Sequence, residues 1–402
     1  MQFDLDKEIS TALANWKSII AKYQEPSTKE AIIQICNSFI PYIGLWVLMY
    51  FSLNWSIWLT IGLAFINSFF LVRIFIIQHD CGHQSFLGSK RWNNMIGFVC
   101  SLFSSIPYKY WAKVHNHHHG HTGQLEERDI GDINFLTVEE YRERNWFNRL
   151  RYRIFRNPLV LFVISPIVYF TFSNRIPFMN FKGMIKRIKW SQVRNNLIIL
   201  AVYALMGFLL GWAKFLFIQL FTIFLFAIIA FWFFYIQHQH ESAYNQWRKN
   251  WDFVVAAIRG ATYYKLPRMF QWLTGNIGIH HIHHLSARIP NYNLEKCMKE
   301  NPILTKYANI LTFKDSLKCI QNKLWDEQEQ RMISLGVLPV REKVALKLEL
   351  QSFCYYIPNP IFKIQSEGLN CITYSRQSMS FNSVDFNTLN PSENIIVQNF
   401  RL

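Results

Sequence analysis

Thirteen histidines occur in the chain, in four groups and nowhere else. His79 and His83 stand in HDCGH, and His115, His117, His118, His119 and His121 in HNHHHGH. His238 and His240 stand in QHQH, and His280, His281, His283 and His284 in HHIHH. A lone histidine is usually an ordinary core or surface residue; clustering of this kind is not random placement. His79 and His83 are four apart; His115, His118 and His119 are i, i+3 and i+4; His280, His283 and His284 repeat that pattern. Residues three and four apart share a helix face, so each group is predicted to aim two or three imidazoles in one direction. Imidazole ligates zinc, copper, iron and nickel. A structural zinc takes four ligands, whereas three motifs plus His238 offer about nine, enough for two metal ions. An all-nitrogen site without cysteine and with open positions suits non-haem iron reacting with dioxygen.

Asp80, Glu126, Glu127, Asp129, Asp132 and Glu241 lie near these groups in the sequence. Carboxylates so placed can orient a ligating imidazole through its second ring nitrogen. Seven cysteines form neither a C-x-x-C pair nor a zinc-type spacing and are read as free thiols in a reducing compartment. There is no haem or iron–sulfur cysteine pattern and no Gly-rich dinucleotide motif. Electrons for any redox step are therefore expected from another protein.

The elements that must position these residues are apolar. Of 402 residues, 51% are hydrophobic and 17% charged, against about 25% charged in a typical soluble domain. That excludes a disordered chain, a coiled coil and a disulfide scaffold. A net charge of +16 fits nucleic acid, an acidic partner or anionic lipid, and the apolar content favours lipid and no nucleic acid. Apolar runs at about 37–53, 55–77, 196–212 and 215–236 approach the roughly 20 residues that cross a bilayer, and tight links join them into two hairpins. Shorter runs at about 95–106 and 158–172 are expected to be interfacial. Arg144, Arg149, Arg151, Arg153, Arg156, Arg175, Lys182, Lys186, Arg187, Lys189 and Arg194 lie between the hairpins. The positive-inside rule then places that region, the histidines and both termini in the cytoplasm. His79 directly follows the second span and His238 the fourth. No cleaved signal peptide is expected. Ile9, Leu13, Trp16 and Ile20 predict an amphipathic helix on the membrane surface, and residues 324–335 a last regular helix. The expected architecture is an all-α integral membrane protein: a cytoplasmic N-terminal segment over 1–36, a membrane domain over 37–340 whose helical cap carries the histidines, and an extension of low order over 341–402.

HDCGH, HNHHH and HHIHH, in that order, with flanks such as FWFFYIQHQHESAY and RIPNYNL, resemble the histidine boxes of the membrane fatty acid desaturases, in particular the acyl-lipid branch. The resemblance runs from about residue 25 to about 335. It implies dioxygen-dependent insertion of a cis double bond into a fatty acyl lipid at a centre of two iron ions. The ligands it implies are His79, His83, His115, His118, His119, His238, His280, His283 and His284. His117, His121 and His281 fall at variable motif positions, and His240 where many bacterial relatives carry an aromatic residue. These four, with Asp80, Asp132 and Glu241, are read as supporting residues around the ligands. The resemblance also implies an acidic electron donor, ferredoxin or cytochrome b5. A related di-iron hydroxylase of acyl, alkane or carotenoid substrates shares such boxes and differs in yielding an alcohol. A membrane metal transporter would instead place ionisable residues inside its spans near the midplane.

Overall fold

A computed structural model describes residues 2–169, 173, 175 and 189–338; the expected extension over 341–402 lies outside them. The described chain is helical, with two small sheets. α1 (Gln2–Ala12), α2 (Trp16–Ile20), α3 (Thr28–Ser52), α4 (Ile57–Gly82), α5 (Lys90–Ser104) and α6 (Tyr108–His121) come first. α7 (Val138–Glu143), α8 (Trp146–Phe155) and α9 (Ser165–Val168) follow, then α10 (Lys189–Leu210) and α11 (Trp212–His238). α12 (Phe253–Arg259), α13 (Arg268–Leu273), α14 (His280–Leu285), α15 (Asn291–Glu300), α16 (Ile303–Lys306) and α17 (Phe313–Cys319) complete the helices. β1 (Leu136–Thr137) pairs in parallel with β4 (Leu324–Asp326), which pairs antiparallel with β5 (Arg331–Ile333). β2 (Thr262–Tyr264) and β3 (Asn309–Leu311) form a parallel pair.

α3, α4, α10 and α11 are long and apolar enough to cross a membrane, as expected from the four runs. Ser27 caps α3, and Ser56 caps α4 by accepting from Leu59 N. The second hairpin turns at Gly211, whose φ of +84° is a conformation glycine adopts without a Cβ clash. Lys214 Nζ donates to Asn54 Oδ1 across 2.7 Å and so joins the two hairpin tips. The tips share one end of the bundle, and the C-termini of α4 and α11 share the other. α4 has 26 residues and α11 has 27. Both exceed the about 20 that cross the hydrocarbon, and His79 and His238 lie in their last turns. Trp55, Trp58 and Trp212 near the tips and Trp190 near the other end are exposed, as interfacial tryptophans are. Inside the bundle Gln219 binds Tyr42, Trp46 and Tyr203, knitting α3, α10 and α11. Arg73, buried in α4, bonds Asn37 and the Trp272 carbonyl toward the histidine end of the helix.

Residues 95–104 of the short run over 95–106 belong to α5, which packs on α4 and α6. The run over 158–172 is described as far as residue 169 and in 158–169 is short and helical, with Phe162 against Trp232 and Tyr235 of α11.

Two expectations are corrected. The stripe of α1 and α2 does not meet lipid: Ile9, Leu13 and Ile20 are fully buried against Val255, Ala256, Ile258 and Leu285, and Asp6 pairs with Arg259 at 3.1 Å. Residues 324–335 form the β4–β5 hairpin rather than a helix. Asp326 accepts from Gln328 and Glu329 N in the turn, and Trp325 and Met332 bury in a core with Leu125, Phe135 and Ala243. Arg156, in the basic stretch between the hairpins, is buried.

Candidate metal centre

Box one ends α4, with His79 in its last turn and His83 at its C-cap. Box two lies on the C-terminal half of α6, box three opens α14, and His238 ends α11. The structure brings these nine histidines together but does not keep each box on one target. His79, His83, His115, His119 and His283 form one group and His118, His238 and His284 another, each with its ligand atoms within 4.8 Å of one another. His280 joins the second group, its Nε2 lying 3.1 Å from His238 Nε2 and 3.0 Å from His284 Nε2. This corrects the expectation that a box aims in one direction. A helix turns by about 100° per residue, so i and i+4 are about 40° apart while i+3 stands about 100° from i+4. His115 and His119 therefore face one group and His118 the other; His280 and His284 face the second and His283 the first.

Eight of the nine side chains are buried and His83 is half-buried. Nε2 faces Nε2 at 3.1 Å for His115 with His119 and for His119 with His283, and at 3.2 Å for His118 with His238. The buried Nε2 atoms of His79 and His83 have no hydrogen-bond partner. Nitrogens about 2.1 Å from a shared cation stand about 3.0 Å apart when cis, so these separations fit ligands around two ions. Burial, reinforced by neighbouring imidazoles, holds His83, His115, His119, His280, His283 and His284 well below the ordinary 6.5. They are neutral at physiological pH, with a lone pair to give.

For His79, His83, His118, His238 and His284 the other ring nitrogen is held from behind, whereas the buried Nδ1 atoms of His119 and His280 have no hydrogen-bond partner. His79 Nδ1 meets Asp80 Oδ1 at 2.8 Å, and Asp80 Oδ2 also accepts from Asn291 N and Nδ2. His83 Nδ1 meets Asn116 Oδ1 at 2.6 Å, and His238 Nδ1 faces the Gly260 carbonyl at 3.3 Å. Thr122 Oγ1 donates to the His118 carbonyl and so accepts from His284 Nδ1 at 3.0 Å. His118 Nδ1 faces Asp132 at 3.3 Å. Burial alone would raise the Asp132 carboxyl, but His118, His238 and the Ile133 N–H together more than offset it and the carboxyl lies below its usual range. Each Nδ1–H so engaged leaves Nε2 as the ligand atom. Gly131 lets the Asp132 loop approach: its φ is +80° and a Cβ there would sit 2.9 Å from His118 Cβ.

The supporting residues divide. Asp80 and Asp132 back ligands. His117 meets Glu127 at 3.2 Å and stacks on His121 at 4.1 Å, both outside the two groups. His240 and His281 are buried outside them, and burial pushes both down to about 3. Glu241 is exposed and pairs with Arg331 at 2.8 Å, so it backs no histidine, contrary to expectation. Thr122, Asn116, Gly260 and Asn291 were not legible in advance, since a small polar residue or a carbonyl carries no ligand signature. Arg156 was missed for its surroundings: it bonds the Asn134 and Asn322 carbonyls, Gln239 and Tyr235, tying the loop beyond Asp132 to the residue after His238. Trp111 stacks on His115 at 4.5 Å, and the Phe234 ring lies 5.5 Å from His118 and 5.6 Å from His238, walling the centre with aromatic surface.

Residues 53–311 match the sequence model of a family described as fatty acid desaturase. The chain is 41% identical over 319 residues to "Fatty acid desaturase" of Bacillus subtilis (strain 168), over 79% of this chain and 90% of that protein. It is 26% identical over 253 residues to "sn-1 oleoyl-lipid 12-desaturase" of Picosynechococcus sp. (strain ATCC 27264 / PCC 7002 / PR-6), over 60% of this chain and 68% of that protein. Over 261 residues it is 25% identical to "sn-1 acyl-lipid omega-3 desaturase (ferredoxin)" of Nostoc sp. (strain 36), over 63% and 69% of the two chains.

Proposed function

Because this chain belongs to the fatty acid desaturase family, we propose that it inserts a cis double bond into the acyl chain of a membrane lipid, with two iron ions held by the two histidine groups. The observation that carries this is the convergence of nine imidazoles, four or more to each group. When bound, iron supplies the oxidising chemistry with dioxygen that an unactivated C–H bond requires. The reaction consumes one O2, two electrons and two protons, takes two hydrogens from adjacent methylenes, and releases two waters.

The chain's own residues do the rest. Asp80, Asn116, Asp132, Thr122 and the Gly260 carbonyl hold a proton on Nδ1 and present Nε2 inward. Trp111 and Phe234 keep water from the ligands. His79, His83, His115, His119 and His283 hold one ion; His118, His238, His280 and His284 hold the other. The boxes and termini face the cytoplasm, as the basic stretch between the hairpins supports. The working unit is the membrane domain over 37–340, with 341–402 an extension of it. Relatives named for acyl-lipid substrates and for ferredoxin support a glycerolipid substrate and an acidic electron carrier of ferredoxin or cytochrome b5 type.

The test is expression in a host lacking desaturases, with fatty acid profiling by mass spectrometry and metal analysis of the purified protein. A new cis double bond and about two irons per chain are expected. An alcohol product would assign the chain to the hydroxylase reading, and active protein with stoichiometric zinc and no iron would sink the di-iron one.

A further inference from the structure

Away from the histidines, a cavity of about 280 Å³ opens between α5 and the first turns of α6 and α10. Its floor is tied down. The buried Asn195 of α10 accepts from Tyr108 N at 3.0 Å through Oδ1 and donates to Ser101 Oγ at 3.2 Å through Nδ2. Tyr108 is buried too, its hydroxyl donating to the Cys81 carbonyl at 2.7 Å. One wall is apolar, built by Met95 and Phe98. Met95 also belongs to an exposed stripe of α5 with Trp92 and Val99, three and four residues apart on one helix face. The mouth is cationic: Lys109 and Arg194 are both exposed there, and Asn94 and Ser191 add neutral polar groups. No Asp or Glu lines the cavity, and none occurs in α5, α6 or α10. The other charged residues of these helices are Lys90, Arg91, Lys113 and Lys189, all cations.

Trp190, beside Ser191, is exposed where α10 begins its span, and Trp92 is exposed on α5, so the mouth stands at the level of the lipid head groups. We propose that this cavity seats the phosphate of an anionic glycerophospholipid, phosphatidylglycerol in its simplest form, with an acyl chain laid along Trp92, Met95 and Val99. The Arg194 guanidinium forks two phosphate oxygens, and the Lys109 ammonium supplies a second charge. The volume is just under the about 300 Å³ at which small-molecule sites begin, so it takes a head group and leaves the chains in the bilayer. A choline head group would bring a cation where no carboxylate waits for it. Lys and Arg gather on one side of any membrane protein, but that bias does not set two of them around a cavity with an apolar wall. Basic pockets between membrane helices bind anionic head groups. The seat lies apart from the metal centre. Lys109 and His118 are nine residues apart, about 900° at about 100° per residue, and so stand on opposite sides of α6. The lipid is thus a brace across α5, α6 and α10 and is not the chain that reacts.

The test uses the full-length protein in detergent, washed free of co-purified lipid. Dioleoyl phosphatidylglycerol, dioleoyl phosphatidylcholine, glycerol 3-phosphate and inorganic phosphate are titrated separately. Binding is read by native mass spectrometry and by the unfolding midpoint, which rises with any ligand that binds the folded state alone. Phosphatidylglycerol is expected to fill one saturable site and to raise the midpoint. K109E/R194E is expected to weaken that affinity at least about tenfold, whereas R151E/K249E, which reverses two charges that do not line the cavity, should hold it within about twofold. K109Q/R194Q removes the same charges without adding repulsion and should weaken binding in the same direction; it decides the matter if the reversed variant does not fold. Equal affinity for phosphatidylcholine, or equal losses in the two reversed variants, overturns the inference. A midpoint shift reproduced in full by glycerol 3-phosphate or inorganic phosphate assigns the seat to a soluble phosphate and overturns the lipid as its occupant. No readout uses turnover, so the desaturase reading stands or falls separately.

Discussion

Asp80→Asn isolates the part played by the residues behind the ligands. The Asp80 carboxylate accepts from three donors: His79 Nδ1 at 2.8 Å, Asn291 N at 2.6 Å and Asn291 Nδ2 at 2.9 Å. An asparagine has one oxygen and one NH2 in the same outline. With the oxygen toward the two donors of Asn291, the NH2 faces His79, and His79 must turn its Nδ1 into an acceptor. The ring proton then moves to Nε2, the atom aimed at the cation. Folding survives, because Asn291 keeps its acceptor. Loss of such an orienting partner costs about 10–100-fold in metal affinity, about 1.4–2.7 kcal/mol. Asp80→Ala instead orphans three buried donors at about 1–3 kcal/mol each and should destabilise the fold as well. The assay is iron release to a chelator beside the unfolding midpoint in detergent. Asp80→Asn should release the iron of the first group early, hold that of the second, and unfold near the wild-type temperature. Wild-type release from both groups would refute the argument that Asp80 sets the His79 tautomer.

Arg156→Met removes a buried guanidinium that binds two carbonyls, an amide and a phenol; a loss on the order of 3 kcal/mol is expected, read as a lower unfolding midpoint. Changing His115, His119, His280 or His284 to Ala should abolish desaturation, while His117→Ala and His121→Ala, whose rings stack outside the two groups, should be mild in the same fatty acid assay. The metal-free protein should lose stability as pH falls below 6.5: the unfolded chain then takes up protons that the buried His83, His115, His119, His280, His283 and His284 refuse. Above 6.5 both states are neutral and the midpoint should be flat, while below it each titrating histidine adds up to about 1.4 kcal/mol per pH unit. Truncation after residue 340 should leave activity intact, whereas truncation after residue 322 removes buried Trp325 and should cost both membrane abundance and activity.

How much of this could be read in advance follows from what a one-dimensional pattern encodes. Hydropathy and histidine spacing are local, and both hairpins and all nine converging histidines were visible. The helix limits were not: α3 begins at Thr28 because Ser27 caps it, and its polar first turns extend beyond the apolar run. The amphipathic stripe of α1 and α2 was legible, but a stripe does not say whether lipid or α12 will cover it. In LWDEQEQRMISL the apolar residues at both ends looked helical, yet Gln330 with φ +52° and the Asp326 turn fold them into a hairpin. The surroundings of Arg156 were not legible because its four acceptors come from segments far apart in sequence.

The same distance explains how the centre is held. Each anchor spans two of the elements that carry histidines or the loops beside them. Asp80 beside box one reaches Asn291, on the helix after box three. Asn116 within box two holds His83 and also donates to the Gly82 carbonyl at 3.2 Å. Thr122 at the end of α6 holds His284. Arg156 ties the loop beyond Asp132 to Gln239, next to His238. The four histidine segments are thus cross-linked through their backs, on the side away from the cations. Nε2 atoms face one another at about 3 Å; wherever both present lone pairs they repel, and a loosely held set of side chains would relieve this by turning away. The anchors on His79, His83, His118, His238 and His284 resist that and help keep the ligands within the tolerance a metal site demands. The cost falls on the metal-free fold and is returned on binding, so cation affinity and stability are coupled here. Substitutions at the anchors should therefore alter metal retention even though none of them touches a cation.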